Sequence, residues 1–119
     1  MNVNGMRVFV SGPMTGLPGL NLDAFDDAER LLRKAGAAMV YSPARLARLG
    51  ARDWPHESCM LATLHALTAS VMGGSGAPEP AYGVVALLDG WEESEGARAE
   101  VAAAMACGIP TLPIGEVTA

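Results

Sequence analysis

Apolar residues along this chain recur in two alternating patterns. Short apolar runs, Met6-Arg7-Val8-Phe9-Val10-Ser11, Ala37 to Tyr41, Gly83 to Leu88 and Ile109 to Ile114, have the length and the glycine and proline punctuation of strands. Between them lie longer stretches with helical spacing. From Leu22 to Ala35 the apolar positions Ala24, Phe25, Ala28, Leu31, Leu32 and Ala35 fall on one face, with Asn21 or Asp23 as cap and Gly36 as stop. A second helix is predicted from about Pro55 to Val71, with Cys59, Leu61, Leu64 and Leu67 on its apolar side, and a third from the cap Ser94 to about Cys107. Gly12 to Gly19 reads as a loop, the arginine-rich stretch after Ser42-Pro43 as a polar connection, and Met72 to Pro80 as a mobile flap.

Strands separated by helices require right-handed crossovers, and these build a parallel sheet. The predicted fold class is α/β: a single-domain Rossmann-like (flavodoxin-like) three-layer sandwich with a sheet of four to five parallel strands, spanning residues 1–119. The first and third of the predicted strands should lie side by side. Their carboxyl-end loops then meet at the switch point, where open α/β sheets bind ligands.

Composition narrows the class further. A chain of 119 residues that is 50% hydrophobic can bury a core, and no segment has the apolar length of a membrane span. Met1 to Gly5 lacks the features of a signal peptide, so a cytoplasmic protein with no membrane partner is expected. Cys59 and Cys107 predict two reduced thiols, at least one buried, with Cys107 as a small core residue. Residues 1–60 carry seven basic and six acidic side chains, but residues 61–119 carry only Arg98 against seven acids, a balance that argues against a duplex nucleic-acid partner. Arg30, Arg33, Lys34, Arg45, Arg48 and Arg52 read as a solvated helix face or, alternatively, a local anion-attracting rim.

The candidate chemistry centres on Gly90-Trp91-Glu92-Glu93-Ser94-Glu95-Gly96-Ala97-Arg98-Ala99-Glu100. It places a carboxylate early in a helix directly after an apolar strand. Ser94 caps the helix, Gly96 removes a side chain where a substrate could approach, and Glu100 projects from the first turns. A carboxylate there is a serviceable nucleophile; the plainer reading is a surface residue that complements the helix dipole. Across the switch point, Ser11 to Gly16 could offer backbone N–H groups to an anion or a sugar hydroxyl, or be an ordinary turn. The loop is neither a Walker A loop nor a dinucleotide fingerprint.

Trp91 is either a stacking platform or a core-capping aromatic, and Trp54 reads as packing. His56, Cys59 and His65 share no helical face and lack a completing ligand, so no metal and no cofactor is expected. Ser11 or Ser94 as nucleophile would need a histidine, and neither histidine is expected near a carboxyl-end loop.

Val8-Phe9-Val10-Ser11-Gly12-Pro13-Met14-Thr15-Gly16 together with Leu87-Leu88-Asp89-Gly90-Trp91-Glu92-Glu93-Ser94-Glu95-Gly96-Ala97-Arg98-Ala99-Glu100 resembles the phage and bacterial branch of the nucleoside 2-deoxyribosyltransferase-like superfamily, near the nucleotide N-hydrolases. The Asn21 to Ala35 helix and the Pro43 and Trp54 region fit the resemblance as well. It implies an N-glycosidase or deoxyribosyltransferase acting on a (deoxy)nucleoside or its 5′-monophosphate. The residue matching Glu100 attacks the anomeric carbon, and water or a second base resolves the glycosyl-enzyme. Substrate-binding positions implied are Ser11, Gly12, Pro13, Met14, Asp89, Trp91, Ser94 and Gly96, with Ser94 suited to a phosphate.

The chain also departs from the superfamily pattern. Phe9 stands where a tyrosine commonly orients the nucleophile, Gly83 where an aspartate precedes the strand, and Thr63 where an acidic helix residue is expected. Asp89, Glu92, Glu93 and Tyr82 are the positional substitutes for the missing proton donor. The alternative expectation is a non-catalytic nucleotide-binding module that retains the pocket. A homo-oligomer, a dimer or higher, is expected to bury the outer side of the Pro55 to Val71 or Ser94 to Cys107 helix.

Overall fold

A computed structural model of the chain describes residues 2–118. The principal elements are β1 (Arg7–Ser11), α1 (Leu22–Lys34), β2 (Met39–Tyr41), α2 (Ala44–Arg48), α3 (His56–Leu67), β3 (Ser70–Met72), β4 (Pro78–Pro80), β5 (Val84–Leu87), α4 (Glu95–Ala106) and β6 (Thr111–Pro113). Four strands form a parallel sheet in the order β2-β1-β5-β6, with helices on both faces, as in a Rossmann-like three-layer fold. β1 and β5 are neighbours, as the alternation of elements predicts, with Val8 opposite Val84 and Ser11 opposite Leu87.

The two-residue period of β1 divides the interior. Val8 and Val10 pack with Phe25, Ala28 and Leu32 of α1, whereas Phe9 turns to the other face and meets Leu67, Val85, Val101 and Ala104 under α3 and α4. Ser11, two residues after Phe9, therefore belongs to the α3–α4 face. α1 is strongly amphipathic, and Phe25, Ala28 and Leu32 are its buried row.

Several expectations need correction. α3 ends at Leu67 rather than near Val71, and the Thr68 hydroxyl donates to the Leu64 carbonyl at 2.7 Å as the helix closes. The segment read as a flap then pairs with the end of that expected helix: β3 and β4 form an exposed antiparallel hairpin in which Val71 faces Glu79. Val71 and the prolines favour extended backbone, and the glycines between them supply the reversal. The arginine-rich connection contains α2 and a single 3₁₀ turn, anchored by buried Ala44, Ala47 and Ala51.

Cys107 is exposed and Cys59 half-buried, so neither thiol is a core residue. The buried row of α4 ends at Ala104, and Ile109 closes the core beyond the helix. Trp54, read as packing, is 46% exposed. Among the described residues, no helix is long and apolar enough to cross a membrane.

Candidate functional site

α4 starts where the sequence signals it. The Ser94 hydroxyl oxygen accepts from the Ala97 amide at 3.2 Å, the ordinary N-cap bond. The buried row that follows is Ala97, Glu100, Val101 and Ala104, so Glu100 points at the sheet rather than at solvent. It is only 6% exposed, which rules out the reading of a surface residue complementing the dipole.

Ser11 comes from β1 to meet it. Its hydroxyl, wholly buried, donates to Glu100 Oε1 at 2.6 Å. A bond of that length to a carboxylate is charge-assisted, worth on the order of 1.5–3 kcal/mol. Thr63, buried on α3, bears more weakly on the same carboxylate, while its hydroxyl donates to the Met60 carbonyl of its own helix at 3.5 Å. Burial pushes the Glu100 carboxyl above its ordinary value, and the hydrogen bonds of Ser11 and Thr63 oppose that push without cancelling it.

The remaining predicted site residues divide between the two faces of the sheet. Gly12 lies against Leu88, where a Cβ would come within 2.6 Å of Leu88 Cβ, so this glycine is required for the close approach of the two carboxyl-end loops. The ring of Pro13 sits 3.5 Å from where a Cβ on Gly90 would stand, and the Pro13 carbonyl accepts from Asn21 Nδ2 at 2.9 Å. Asn21 thus braces the loop and makes no side-chain cap to α1.

Met14 packs on the α1 side of the core, and Asp89 lines a cavity of about 380 Å³ there with Asn21, Asp27, Leu31 and Ile114. Trp91 is half-buried against the α3–α4 core, the core-capping arrangement. Gly96 faces Met60 Sδ and His56 Cε1, at 3.2 and 3.7 Å from a Cβ built on it, so its missing side chain makes room for α3. His56 therefore does stand at the carboxyl end of the sheet, contrary to expectation. The sequence separation hid this, because only the packing of α3 on α4 brings them together. Ser11 nevertheless pairs with a carboxylate and not with a histidine.

The sequence pattern also misses an aromatic cluster beside Glu100. Phe9 and Tyr41 stack with ring centroids 4.8 Å apart at 6°, and Tyr82 meets them edge-on at 5.7 and 6.3 Å. Burial, then the Glu100 charge, then Tyr82 push the Tyr41 phenol up to about 12. Burial raises the Tyr82 phenol too, with Arg7 opposing. The available signal was position: Tyr41 ends the strand next to β1.

The arginines resolve into a solvated ion-pair network. Arg48 grips Asp26 with two bonds at 2.9 and 2.6 Å, Arg33 and Arg45 share Glu29 at 2.8 and 3.1 Å, and Arg30 pairs with Asp27. Asp26, Glu29 and the four arginines surround a cavity of about 290 Å³ whose cations are already matched by carboxylates. Among the described residues no three His, Cys, Asp or Glu side chains cluster as metal ligands.

A family model described as a domain of unknown function, DUF4406, matches residues 6–73 and 77–112. The chain belongs to this family. The DUF4406 match takes in Ser11, Thr63 and Glu100 and is interrupted only at residues 74–76, in the turn of the β3–β4 hairpin. No curated protein and no solved structure matches the chain.

Proposed function

We propose that this protein is an N-glycosidase or deoxyribosyltransferase acting on a (deoxy)nucleoside or nucleoside 5′-monophosphate, with Glu100 as nucleophile. The observation that carries the reading is the buried Glu100 carboxylate held by Ser11 at the carboxyl end of the central strands. Its resemblance to the nucleoside 2-deoxyribosyltransferase-like superfamily, carried by the Ser11 to Gly16 and Asp89 to Glu100 segments, supports the same chemistry. A carboxylate oxygen of Glu100 bonds to the anomeric carbon as the C–N bond breaks. The base leaves with that electron pair and takes up a proton. Water or a second base then attacks the glycosyl ester and frees the carboxylate.

Ser94 suits a 5′-phosphate. Its oxygen is occupied by the Ala97 amide, but the hydroxyl hydrogen remains available to an anion at the N-terminus of α4. The outward side chains Leu61 and Met105, 73% and 72% exposed on α3 and α4, fit a homo-oligomer in which a second copy covers these helices.

One observation favours the second reading, a nucleotide-binding module without catalysis. Of the groups that could serve the leaving base, Thr63 stands beside Glu100 where an acid is expected, Tyr82 is buried in the aromatic cluster, Asp89 lines the cavity on the opposite sheet face, and Glu92 and Glu93 are exposed in the turn before α4. Product analysis after incubation with a panel of nucleosides and their 5′-monophosphates decides between them. Free base from wild type and none from Glu100→Gln supports the enzyme; binding with no base release from any substrate supports the module.

A further inference from the structure

The two outer edges of the β3–β4 hairpin are chemically unlike. Gly73 donates its amide to the Ala77 carbonyl and Ala81 its amide to the Ala69 carbonyl, each at 2.9 Å, and Val71 stands opposite Glu79 between them. Hydrogen-bonded pairs alternate with non-bonded ones in an antiparallel ladder, so Ser70, Met72, Pro78 and Pro80 turn their backbone groups outward. On β4 both outward residues are prolines. That edge offers carbonyls and no N–H group, so a further strand finds no donors there. On β3 the outward residues are Ser70 and Met72, which keep both groups. All of β3 is exposed, Met72 at 85%, and among the described residues no other backbone hydrogen bond takes up the outward groups of Ser70 or Met72.

The side chains of the hairpin also divide by face. Met72, Pro78 and Pro80 share one face and make it apolar, while Val71 and Glu79 occupy the other. Glu79 stands on β4, yet its carboxylate reaches across to the end of β3, where a Cβ on Gly73 would collide with Glu79 Oε1. Among the described residues no cation pairs with it. A second copy of this strand would not supply one either, because Ala69 to Gly73 contains no cation and Arg98 is the only lysine or arginine in residues 61–119.

We propose that the β3 edge docks an extended segment of a partner protein in which apolar and basic residues alternate. The segment adds as a third strand: its main chain pairs with the N–H and carbonyl groups of Ser70 and Met72, its apolar side chains lie beside Met72, and a lysine or arginine meets the Glu79 carboxylate. The prolines of β4 fix the side of addition. This docking is independent of the chemistry at Glu100.

The probe is a short, blocked, dye-labelled peptide alternating valine and lysine, titrated with the full chain and read by fluorescence anisotropy. A valine–serine counterpart should bind wild type about fivefold more weakly, and Glu79→Gln should close that gap. Methylating alternate backbone amides of the probe removes its strand-pairing donors and should weaken binding about tenfold. Met72→Pro removes one outward N–H from β3 and should weaken the unmethylated probe to a similar extent. Its thermal midpoint should stay at the wild-type value, since that N–H bonds nothing within the hairpin. Absence of binding overturns the proposal, as does affinity that survives amide methylation, or equal affinity for the lysine and serine probes. If Met72→Pro instead lowers the mass found by light scattering, the edge belongs to a second copy and the partner reading falls.

Discussion

Ser11 and Glu100, 89 residues apart in sequence, share one buried hydrogen bond of 2.6 Å. The bond opposes, without abolishing, the tendency of burial to keep Glu100 protonated. A nucleophile must be ionised, so base release should fall on acidification with an apparent pKa above the ordinary glutamate value. Ser11→Ala removes the opposing donor and should move that acid limb further upward. A pH–rate profile of kcat/KM checks both. An acid limb at or below the ordinary value would contradict the assignment of Glu100.

The same carboxyl links stability to pH. With its native pKa raised, Glu100 binds a proton in the folded chain at pH values where the unfolded chain has lost it, so stability is fullest below the unfolded pKa and declines as pH rises through the folded one. Glu100→Gln lacks this charge. Its thermal midpoint should exceed that of wild type at neutral pH, and the difference should shrink toward pH 4. Differential scanning calorimetry at several pH values measures it, and a variant less stable at neutral pH would contradict the sign.

Ser94 has two separable duties. Ser94→Ala loses the cap to the Ala97 amide and should cost about 0.5–2 kcal/mol in denaturant unfolding. Ser94→Asp keeps a capping oxygen but places a negative charge where the phosphate is expected. It should retain stability and nucleoside binding while losing monophosphate binding in calorimetry. Equal binding of the monophosphate by wild type and Ser94→Asp would remove Ser94 from the phosphate site.

Gly12 and Gly96 should respond oppositely to alanine. At Gly12 the new Cβ would strike Leu88 Cβ at 2.6 Å, close to the backbone of the neighbouring loop, and about 1–3 kcal/mol of destabilisation is expected. At Gly96 the nearest atom is Met60 Sδ at 3.2 Å, the far end of a flexible side chain, and a helix-propensity gain of up to about 1 kcal/mol offsets the contact. Urea unfolding of the two variants tests the contrast; equal losses would mean that the α3–α4 approach is as rigid as the switch point.

Light scattering at micromolar concentration should return a multiple of the chain mass. Leu61→Glu, on the outward side of α3, should then return the monomer, because it charges a residue 73% exposed in the single chain. A monomeric wild type would leave these helices open to solvent.

The adjacency of β1 and β5 was legible because Val8, Val10, Val84 and Ala86 sit in short apolar runs separated by helical stretches, and it brings Ser11 to the face on which α4 buries Glu100. Thr63 was placed there only by the family resemblance, and Tyr41 was not legible as its neighbour. Thr63 depends on how α3 lies over α4, and Tyr41 on stacking across β1 and β2, both tertiary relations without a local signature. The misplaced end of α3 has a local cause: Val71 continues an apolar helical row yet prefers the extended backbone it adopts in β3. Cys107 misled for a similar reason, since an Ala-rich helix end looks buried until the chain turns there.

The β3–β4 hairpin gives neither buried row of the sheet a side chain, and the family match skips part of its turn. It behaves as an appendix to the parallel domain rather than a wall of it. Selection can therefore lengthen, trim or recode this projection without renegotiating the core, and a reporter inserted between Gly74 and Ser75 should ride on the protein as a passenger.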